Sequence, residues 1–265
     1  MLSPESKVPQ LDAAKCAWFL DIDGTLVEIA DAPDQVRIEP KLIEVVSRLA
    51  QVSKGAVALI SGRRIDEIDA LFFPLHLPAA GQHGMERRNG AGSISRHPPD
   101  RNTLAGIRNA VRDRVSGRPG VLMEDKGLTL AVHFRQAPQL RDEVGRLLQT
   151  LVGESRGDYR VQPGKMVFEI KPGGKDKGTA VIEFMDETPF RGRTPVFIGD
   201  DATDEYAFAV VDRLGGVAIK VGAGASVARW RLPDVAAVHA WIRTSLDDES
   251  SHGKKADEDG SPAKP

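Results

Sequence analysis

The stretch from residue 16 to residue 26, CAWFLDIDGTL, joins a short apolar run to two aspartates and a glycine. Five consecutive apolar residues at positions 16–20 are typical of a strand buried on both faces of a sheet. An extended strand end places Asp21 and Asp23 on the same side, and Gly24 permits a sharp turn after them. One carboxylate can then act as a covalent nucleophile while the other carries a proton. The alternative is that DIDGT is only a turn that closes the strand.

Two further apolar runs, at residues 56–60 and 195–198, predict similar buried strands. Helical patterns occupy other parts of the chain, at residues 40–49, Ile65–Phe72, Lys177–Met185, 204–211 and a last helix capped by Asp234. This alternation of strands and helices predicts an α/β fold with a mainly parallel sheet that is covered by helices on both sides.

Residues 104–171 have a different pattern, in which the predicted order is αββαββ. That order predicts a separate α+β unit, a four-stranded and mostly antiparallel sheet with two helices on one face. The segment holds twelve Lys+Arg and eight Asp+Glu, a net charge of +4, whereas the rest of the chain has −6. A basic unit inserted into an acidic one suits an anionic ligand held between them. The alternative is that the excess charge is a solvated surface.

We therefore divide the chain into a discontinuous core of residues 14–103 and 172–245 and an inserted domain of residues 104–171. Residues 246–265 are rich in charge and lack aromatic and β-branched side chains, so we expect a disordered tail. We expect residues 1–13 to be loose as well.

The composition excludes several classes of protein. Thirty-six Lys+Arg against 38 Asp+Glu give a net charge of −2, which offers no reason to expect nucleic acid or a membrane surface as partner. A single cysteine, Cys16, excludes an internal disulfide framework and a cysteine-built zinc site. No apolar run approaches 18 residues, and the N-terminus lacks the apolar stretch of a secretory signal, so we expect a cytoplasmic location.

A second polar cluster, formed by Ser61, Gly62 and Arg63, follows the apolar run at residues 56–60. In open α/β sheets, ligands bind at the carboxyl ends of the strands, so we expect this cluster to meet the aspartate pair. A hydroxyl group and backbone N–H groups at the start of a helix form a cradle for an oxyanion. The alternative is that these residues only cap the next helix.

The third cluster is acidic and consists of Asp200, Asp201, Asp204 and Glu205, after the run at residues 195–198. Two carboxylates about 4 Å apart repel each other by roughly 4 kcal/mol at an effective dielectric constant near 20, so a buried group of them needs a cation. With oxygen ligands and no Cys or His nearby, Mg²⁺ is the best candidate. The alternative for Asp204 and Glu205 is to cap and polarise the next helix.

A lysine also stands at the start of a predicted helix. Lys177 opposes the preference of the helix dipole for negative charge at that end. Binding of an anion there explains such a residue.

Taken in order, DIDGT, a strand-terminal serine, a lysine and GDD resemble the motifs of the haloacid dehalogenase-like (HAD) phosphatases over about residues 14–245. The resemblance implies a Rossmann-like core with a parallel sheet, and it implies that the α+β unit is a cap over the site. It further implies that Asp21 attacks phosphorus and becomes an aspartyl-phosphate, while Asp23 protonates the leaving oxygen and then activates water. Ser61 and Lys177 would hold the phosphoryl group.

The same resemblance implies a Mg²⁺ site. The ligands would be the Asp21 carboxylate, the backbone carbonyl of Asp23 and Asp200, with Asp201 and Asp204 orienting the metal shell.

Within the HAD phosphatases, the chain is most similar to the trehalose-6-phosphate phosphatases. The similarity rests on GQHGME at 81–86, EDKG at 124–127, HFR at 133–135, VFEIKP at Val167–Pro172 and GDDATDE at 199–205. It implies a sugar phosphate substrate whose hydroxyl groups are bound by Glu124, Lys126, Arg135 and Glu169, with Gly62, Arg63 and His83 also in the substrate site. It also implies a functional link to a trehalose-phosphate synthase.

Several alternatives remain at the level of sequence. The substrate could be sucrose phosphate, a glucosylglycerate-type phosphate or another sugar phosphate, and the acceptor a second sugar rather than water. The chain could instead be a catalytically silent sensor of sugar phosphates. Glu124, Lys126 and Arg135 could form a salt-bridged surface of the cap, and His83 and Glu86 a hinge or part of the core.

Overall fold

The computed structural model describes residues 7–30, 35–98, 100–155 and 157–247. The helices are α1 (Pro40–Val52), α2 (Ile65–Phe72), α3 (Arg101–Val115), α4 (Arg141–Gly153), α5 (Lys177–Met185), α6 (Glu205–Arg213) and α7 (Val235–Asp247). The strands are β1 (Cys16–Leu20), β2 (Val57–Ile60), β3 (Ala79–Gly81), β4 (Glu86–Arg88), β5 (Ile94–Arg96), β6 (Leu122–Asp125), β7 (Leu130–His133), β8 (Tyr159–Gly164), β9 (Val167–Pro172), β10 (Thr194–Gly199), β11 (Val217–Val221) and β12 (Trp230–Leu232).

The larger sheet has the strand order β12-β11-β10-β1-β2-β3-β4-β5. Neighbours from β12 to β3 run parallel, and β4 and β5 add an antiparallel edge. The three strands predicted from apolar runs are β10, β1 and β2, which lie side by side at the centre. Their carboxyl ends lie side by side, since Leu20 pairs with Ile198, one residue before the end of β10, and with Leu59, one residue before the end of β2. The polar residues that follow these strands therefore leave the sheet at the same edge.

The central strands are continuously apolar because helices cover both faces of the sheet. On one face, Trp18 and Leu20 pack in a core to which α1 and α7 contribute. On the other, Phe19 and Phe197 pack in a core to which α5 and α6 contribute, and Phe197 meets Phe208 edge-on with 5.6 Å between the ring centroids. The predicted α/β architecture with helices on both sides of the sheet is confirmed.

The smaller sheet has the order β6-β7-β9-β8 and is antiparallel throughout its described residues. α3 and α4 pack against it, with Val111 and Leu148 buried against Val132 and Ile170. This confirms the predicted α+β unit and its order αββαββ. Its first helix begins at Arg101 rather than at residue 104, and the exact domain division stays a prediction.

The described segments near both ends of the chain are more ordered than we expected. Val8 and Ala13 are buried in the core, so the segment before β1 is not uniformly loose. Leu246 is buried and Asp247 is the last residue of α7, so the predicted start of the tail at residue 246 is wrong by two residues. Residues 1–6 and 248–265 lie outside the described residues. Asp234 caps α7 as predicted, because its carboxylate accepts the backbone N–H of Ala237 at 2.8 Å. Within the described ranges, no helix has the length and apolar character needed to cross a bilayer.

Candidate active site

Asp21 directly follows β1 and is buried at the edge of the sheet where the central strands end. Its backbone N–H donates to the carbonyl of Ile198 at 3.1 Å, so its position is fixed by the neighbouring strand. Thr25 donates its hydroxyl to Oδ2 at 3.1 Å, and Lys177 donates its ammonium to Oδ1 at 2.7 Å. Burial raises the pKa of Asp21 well above its usual range, with Lys177 opposing the shift and Asp204 and Asp200 adding to it.

Lys177 is the first residue of α5 and its side chain is buried. Its ammonium lies between two carboxylates, 2.7 Å from Asp21 Oδ1 and 2.7 Å from Asp204 Oδ1. Burial alone would lower the pKa of Lys177, but the two carboxylates raise it above its usual range. Lys177 is therefore a fixed positive charge at the end of the central strands.

The acidic segment after β10 turns back on itself around Asp204. Asp204 Oδ2 accepts the backbone N–H groups of Asp200 at 2.9 Å and of Asp201 at 2.8 Å. Asp201 accepts the N–H of Ala202 at 2.6 Å. Glu205 accepts the backbone N–H of Val227 at 2.8 Å and so fastens a neighbouring loop. Asp204 thus connects the turn to Lys177.

The carboxylates of Asp21, Asp200 and Asp204 offer oxygen atoms that lie within 4.8 Å of one another. Burial raises the pKa of Asp200, and the nearby Asp204 contributes to the shift. Among the described residues, Asp200 Oδ1 is buried without a hydrogen-bond partner. An acceptor oxygen and two raised carboxyl pKa values in one place fit a bound cation, and an all-oxygen donor set is typical of a hard divalent ion.

Gly24 permits the close approach of the two strand ends. Its φ of +85° lies in the left-handed region, and a Cβ atom there would lie 2.1 Å from Asp200 Oδ2. A side chain at this position would therefore push Asp200 out of the acidic cluster.

Ser61, Gly62 and Arg63 follow β2 and meet the aspartate pair as predicted from their place at a strand end. Arg63 donates to both carboxylate oxygens of Asp23, with Nε 2.7 Å from Oδ2 and Nη2 2.7 Å from Oδ1. Ser61 Oγ accepts the backbone N–H of Arg63 at 3.1 Å, so the segment is locally closed. A bidentate pair of this kind fixes the direction of the Asp23 carboxylate.

The cap contributes a second group of charged residues to the same place. Lys126 donates to Glu169 Oε1 at 2.6 Å and to the carbonyl of Gly62 at 2.9 Å. The other oxygen of Glu169, Oε2, lies 2.5 Å from His83 Nε2. Burial would raise the pKa of Glu169, but His83 and Lys126 hold it well below its usual range. Glu124 pairs with His133 across 2.8 Å on the adjacent strands of the cap sheet.

One cavity of about 430 Å³ lies between the core and the cap. The predicted site residues that line it are Asp21, Asp23, Ser61, Gly62, Arg63, His83, Glu124, Lys126, Arg135, Glu169, Lys177, Asp200 and Asp201. Asp204 is fully buried and contacts the lining through Lys177 and the backbone of Asp200. The candidate residues from both parts of the chain thus converge on one space.

Sequence reasoning missed three residues of this site. Lys165, in the turn between β8 and β9, pairs its ammonium with Asp200 Oδ2 and so connects the cap to the acidic cluster. Lys220, in β11, donates to the carbonyl of Asp200 at 2.7 Å. Thr25 lies within the first motif, and its hydroxyl group, which donates to Asp21, is the one feature of the three that the sequence could have indicated. Nothing in the sequence indicates that the turn with Lys165 lies above the core.

A sequence model described as trehalose-phosphatase matches residues 19–236. The chain belongs to the trehalose-phosphatase family. The trehalose-6-phosphate phosphatase of Escherichia coli K12 is 45% identical over 262 residues, which cover 97% of each chain. This confirms the family resemblance that the motifs indicated.

Solved structures of two other proteins agree with the assignment. A trehalose-6-phosphate phosphatase related protein is 26% identical with a TM-score of 0.69, and the alignment covers 88% of this chain and 98% of that one. A HAD-superfamily phosphatase of Bacteroides thetaiotaomicron is 14% identical with a TM-score of 0.61, over 91% and 99% of the two chains, and supports the fold alone. This member of the trehalose-phosphatase family therefore has the HAD fold with an inserted cap, and it is an enzyme of the phosphatase class.

Proposed function

We propose that the chain hydrolyses trehalose 6-phosphate to trehalose and inorganic phosphate. One observation carries this proposal: Asp21, Lys177 and Asp200 of the core face the same cavity as Lys126 and Glu169 of the cap. Groups suited to a phosphoryl transfer and groups suited to hydroxyl-rich ligands thus line one space. The related Escherichia coli protein is named for the same substrate.

Asp21 is the proposed nucleophile. Its carboxylate oxygen forms a bond to phosphorus, and the bond between phosphorus and the sugar oxygen breaks as Asp23 gives its proton to that oxygen. Asp23 then takes a proton from water, whose oxygen attacks the aspartyl-phosphate and restores Asp21 as inorganic phosphate leaves. The short contact of Asp21 with Lys177 supports the role of Asp21. Arg63 fixes the direction of Asp23 and favours its ionised form, the form that takes a proton from water.

Ser61 and Lys177 are proposed to hold the transferring phosphoryl group. Lys177 is buried and charged, so its attraction for a phosphate group is screened little by water. Positioning and charge neutralisation of this kind account for most of the catalysis of phosphoryl transfer.

Mg²⁺ is the proposed metal, with Asp21, the backbone carbonyl of Asp23 and Asp200 as ligands and Asp201 and Asp204 orienting them. The support is the cluster of carboxylate oxygens within 4.8 Å and the unpartnered Oδ1 of Asp200 among the described residues. When bound, such an ion neutralises charge on the phosphoryl oxygens.

Glu124, Lys126, Arg135 and Glu169 are proposed to bind the sugar hydroxyls, with Gly62, Arg63 and His83 completing the substrate site. Charged partners make the stronger hydrogen bonds to hydroxyl groups. A site that binds hydroxyl groups rejects analogues that lack them far better than an apolar pocket does. The buried ion pair of Lys126 and Glu169 at the cavity wall supports this assignment.

We also propose a cytoplasmic location and a functional link to a trehalose-phosphate synthase that supplies the substrate. The single buried cysteine is consistent with a reducing compartment. Nucleic acid and membrane surfaces are not among the proposed partners.

The direct test is phosphate release from a panel of trehalose 6-phosphate, sucrose 6-phosphate, glucosylglycerate-type phosphate and glucose 6-phosphate. We expect the highest kcat/KM with trehalose 6-phosphate, and loss of activity in EDTA that added Mg²⁺ restores. A higher kcat/KM with another ester would assign that ester as the substrate in place of trehalose 6-phosphate. If the protein releases phosphate from none of these esters, the hypothesis of a catalytically silent sensor of sugar phosphates is favoured. If added sugars become phosphorylated, the protein transfers the phosphoryl group to a second sugar rather than to water.

A further inference from the structure

The loop that follows β3 has an unusual backbone. Gln82 and His83 have φ values of 47° and 55°, and Gly84 follows with 94°. A side chain in the left-handed region strains the backbone, so surrounding contacts must hold two such residues in succession. The contacts that hold this strained loop therefore indicate its role in the protein.

Both side chains reach from the core to the cap. His83 Nε2 lies 2.5 Å from Glu169 Oε2 on β9, and Thr129 of the cap donates its hydroxyl to Gln82 Oε1 at 3.1 Å. His83 is 7% exposed. Within the described part of the chain, its Nδ1 is buried without a hydrogen-bond partner. Within the same described residues, Glu169 Oε2 also lacks a hydrogen bond of regular geometry, so the 2.5 Å approach of His83 Nε2 is a close polar contact rather than an aligned hydrogen bond.

Glu169 is held from two sides. Lys126 donates to Oε1 at 2.6 Å and is itself fixed by its bond to the carbonyl of Gly62. His83 contacts the other oxygen, and it can approach because residue 62 has no side chain: a Cβ atom there would lie 2.7 Å from His83 Nε2. Each carboxylate oxygen thus has a side-chain nitrogen within 2.6 Å, which keeps the group charged and limits its rotation.

We propose that His83 is a positioning residue for substrate discrimination, which acts on the sugar through Glu169 by fixing the direction of that carboxylate from the core. The inference deepens the proposed function and rests on it. It separates His83 from the residues that bind hydroxyl groups themselves, since its Nε2 is occupied by the close contact with Glu169.

The test compares His83→Leu, which keeps the bulk but has no donor, with His83→Gln, which keeps an amide donor at a similar reach. Gln82 already adopts the left-handed conformation in the same loop, so glutamine suits this backbone. Glu169→Gln and the double variant Glu169→Gln with His83→Leu complete a double-mutant cycle. For each protein, kcat/KM is measured with trehalose 6-phosphate and with p-nitrophenyl phosphate, a phosphate ester without a sugar.

The quantity of interest is the ratio of the two kcat/KM values. We expect His83→Leu to lower this ratio by about tenfold or more, comparably to Glu169→Gln, because a misdirected carboxylate loses its hydrogen bonds to the sugar. The double variant should lower the ratio no further than Glu169→Gln alone, and His83→Gln should recover most of the loss.

Losses that multiply in the double variant would show that His83 acts independently of Glu169 and would overturn the inference. So would an equal loss with both esters, which is the result of a merely structural role, or an unchanged ratio in His83→Leu. If the wild-type protein cleaves p-nitrophenyl phosphate but not trehalose 6-phosphate, the proposed function fails and the inference with it. A wild-type preference for trehalose 6-phosphate that survives His83→Leu overturns the inference alone.

Discussion

Lys177 Nζ lies 2.7 Å from Asp21 Oδ1, although the two residues are 156 positions apart in the chain. Asp21 directly follows the central strand β1 and Lys177 begins the helix that follows the cap, so the pair forms only when the core closes around the inserted unit. Asp204 takes a second hydrogen bond from the same ammonium at 2.7 Å. One buried cation therefore serves two buried carboxylates.

This arrangement predicts that Lys177→Met destabilises the fold as well as the reaction. Removing one partner of a buried ion pair typically costs about 3–5 kcal/mol, because the remaining charges are left uncompensated. We expect a loss of that size in the free energy of unfolding, measured by urea denaturation in EDTA. Added Mg²⁺ should recover part of it, since a divalent ion replaces the missing positive charge beside Asp21.

The control is Lys15→Met, which removes a lysine whose side chain is 82% exposed in its pair with Asp12. It should leave the free energy of unfolding almost unchanged, because exposed ion pairs contribute little to stability. Equal effects of the two substitutions would contradict a buried role for Lys177.

Gly24→Ala should separate the effect of a clash from that of backbone strain. Gly24 and Gly92 have φ values of +85° and +83°, so alanine meets the same strained backbone at both. A Cβ atom at residue 24 would lie 2.1 Å from Asp200 Oδ2, whereas nothing lies within 4 Å at residue 92. We expect Gly24→Ala to raise the Mg²⁺ concentration for half-maximal activity at least about tenfold, and Gly92→Ala to leave it unchanged while lowering Tm slightly. If Gly24→Ala leaves the Mg²⁺ concentration for half-maximal activity unchanged, the metal does not bind beside Asp200.

Cys16 should be inert in the folded protein. Its side chain is 3% exposed within β1, and burial raises its pKa to about 11. Iodoacetamide near pH 8 should alkylate it only in concentrated urea, as read by mass spectrometry. Rapid modification of the native protein would show that β1 opens.

The raised pKa of Cys16 also determines how the free energy of unfolding changes with pH. A folded-state pKa above the unfolded one gives stability that is present below about pH 9 and is lost as the pH rises toward about 11. The wild-type protein should therefore lose its advantage in unfolding free energy over Cys16→Ala across that range.

The core half of the candidate site was predictable because its residues are adjacent to strand ends. Asp21, Ser61 and Asp200 each follow a continuous apolar run, and parallel neighbouring strands bring their carboxyl ends to one edge. The local sequence therefore predicted both the strands and the position of these polar residues at the carboxyl ends of the strands. The short strands β3 and β4 gave no such signal, because three residues are too few for a periodicity to be recognised.

The contacts between core and cap could not be predicted. The pair of Lys165 with Asp200 and the bond from Lys126 to Gly62 depend on how the cap is placed over the core, which no local pattern records. The left-handed backbone of Gln82 and His83 was likewise hidden, since non-glycine residues seldom adopt it and no local pattern marks two of them in succession. Only the following Gly84 marks an irregular segment.

The measurement that tests the central claim most directly is a rapid-quench reaction with trehalose 6-phosphate that carries a radioactive phosphoryl group. We expect a transient label on the peptide that contains Asp21, sensitive to hydroxylamine as acyl phosphates are, and no label and no phosphate release from Asp21→Asn. Phosphate release at the wild-type rate from Asp21→Asn, or turnover by the wild-type protein without label on that peptide at any time, would contradict it.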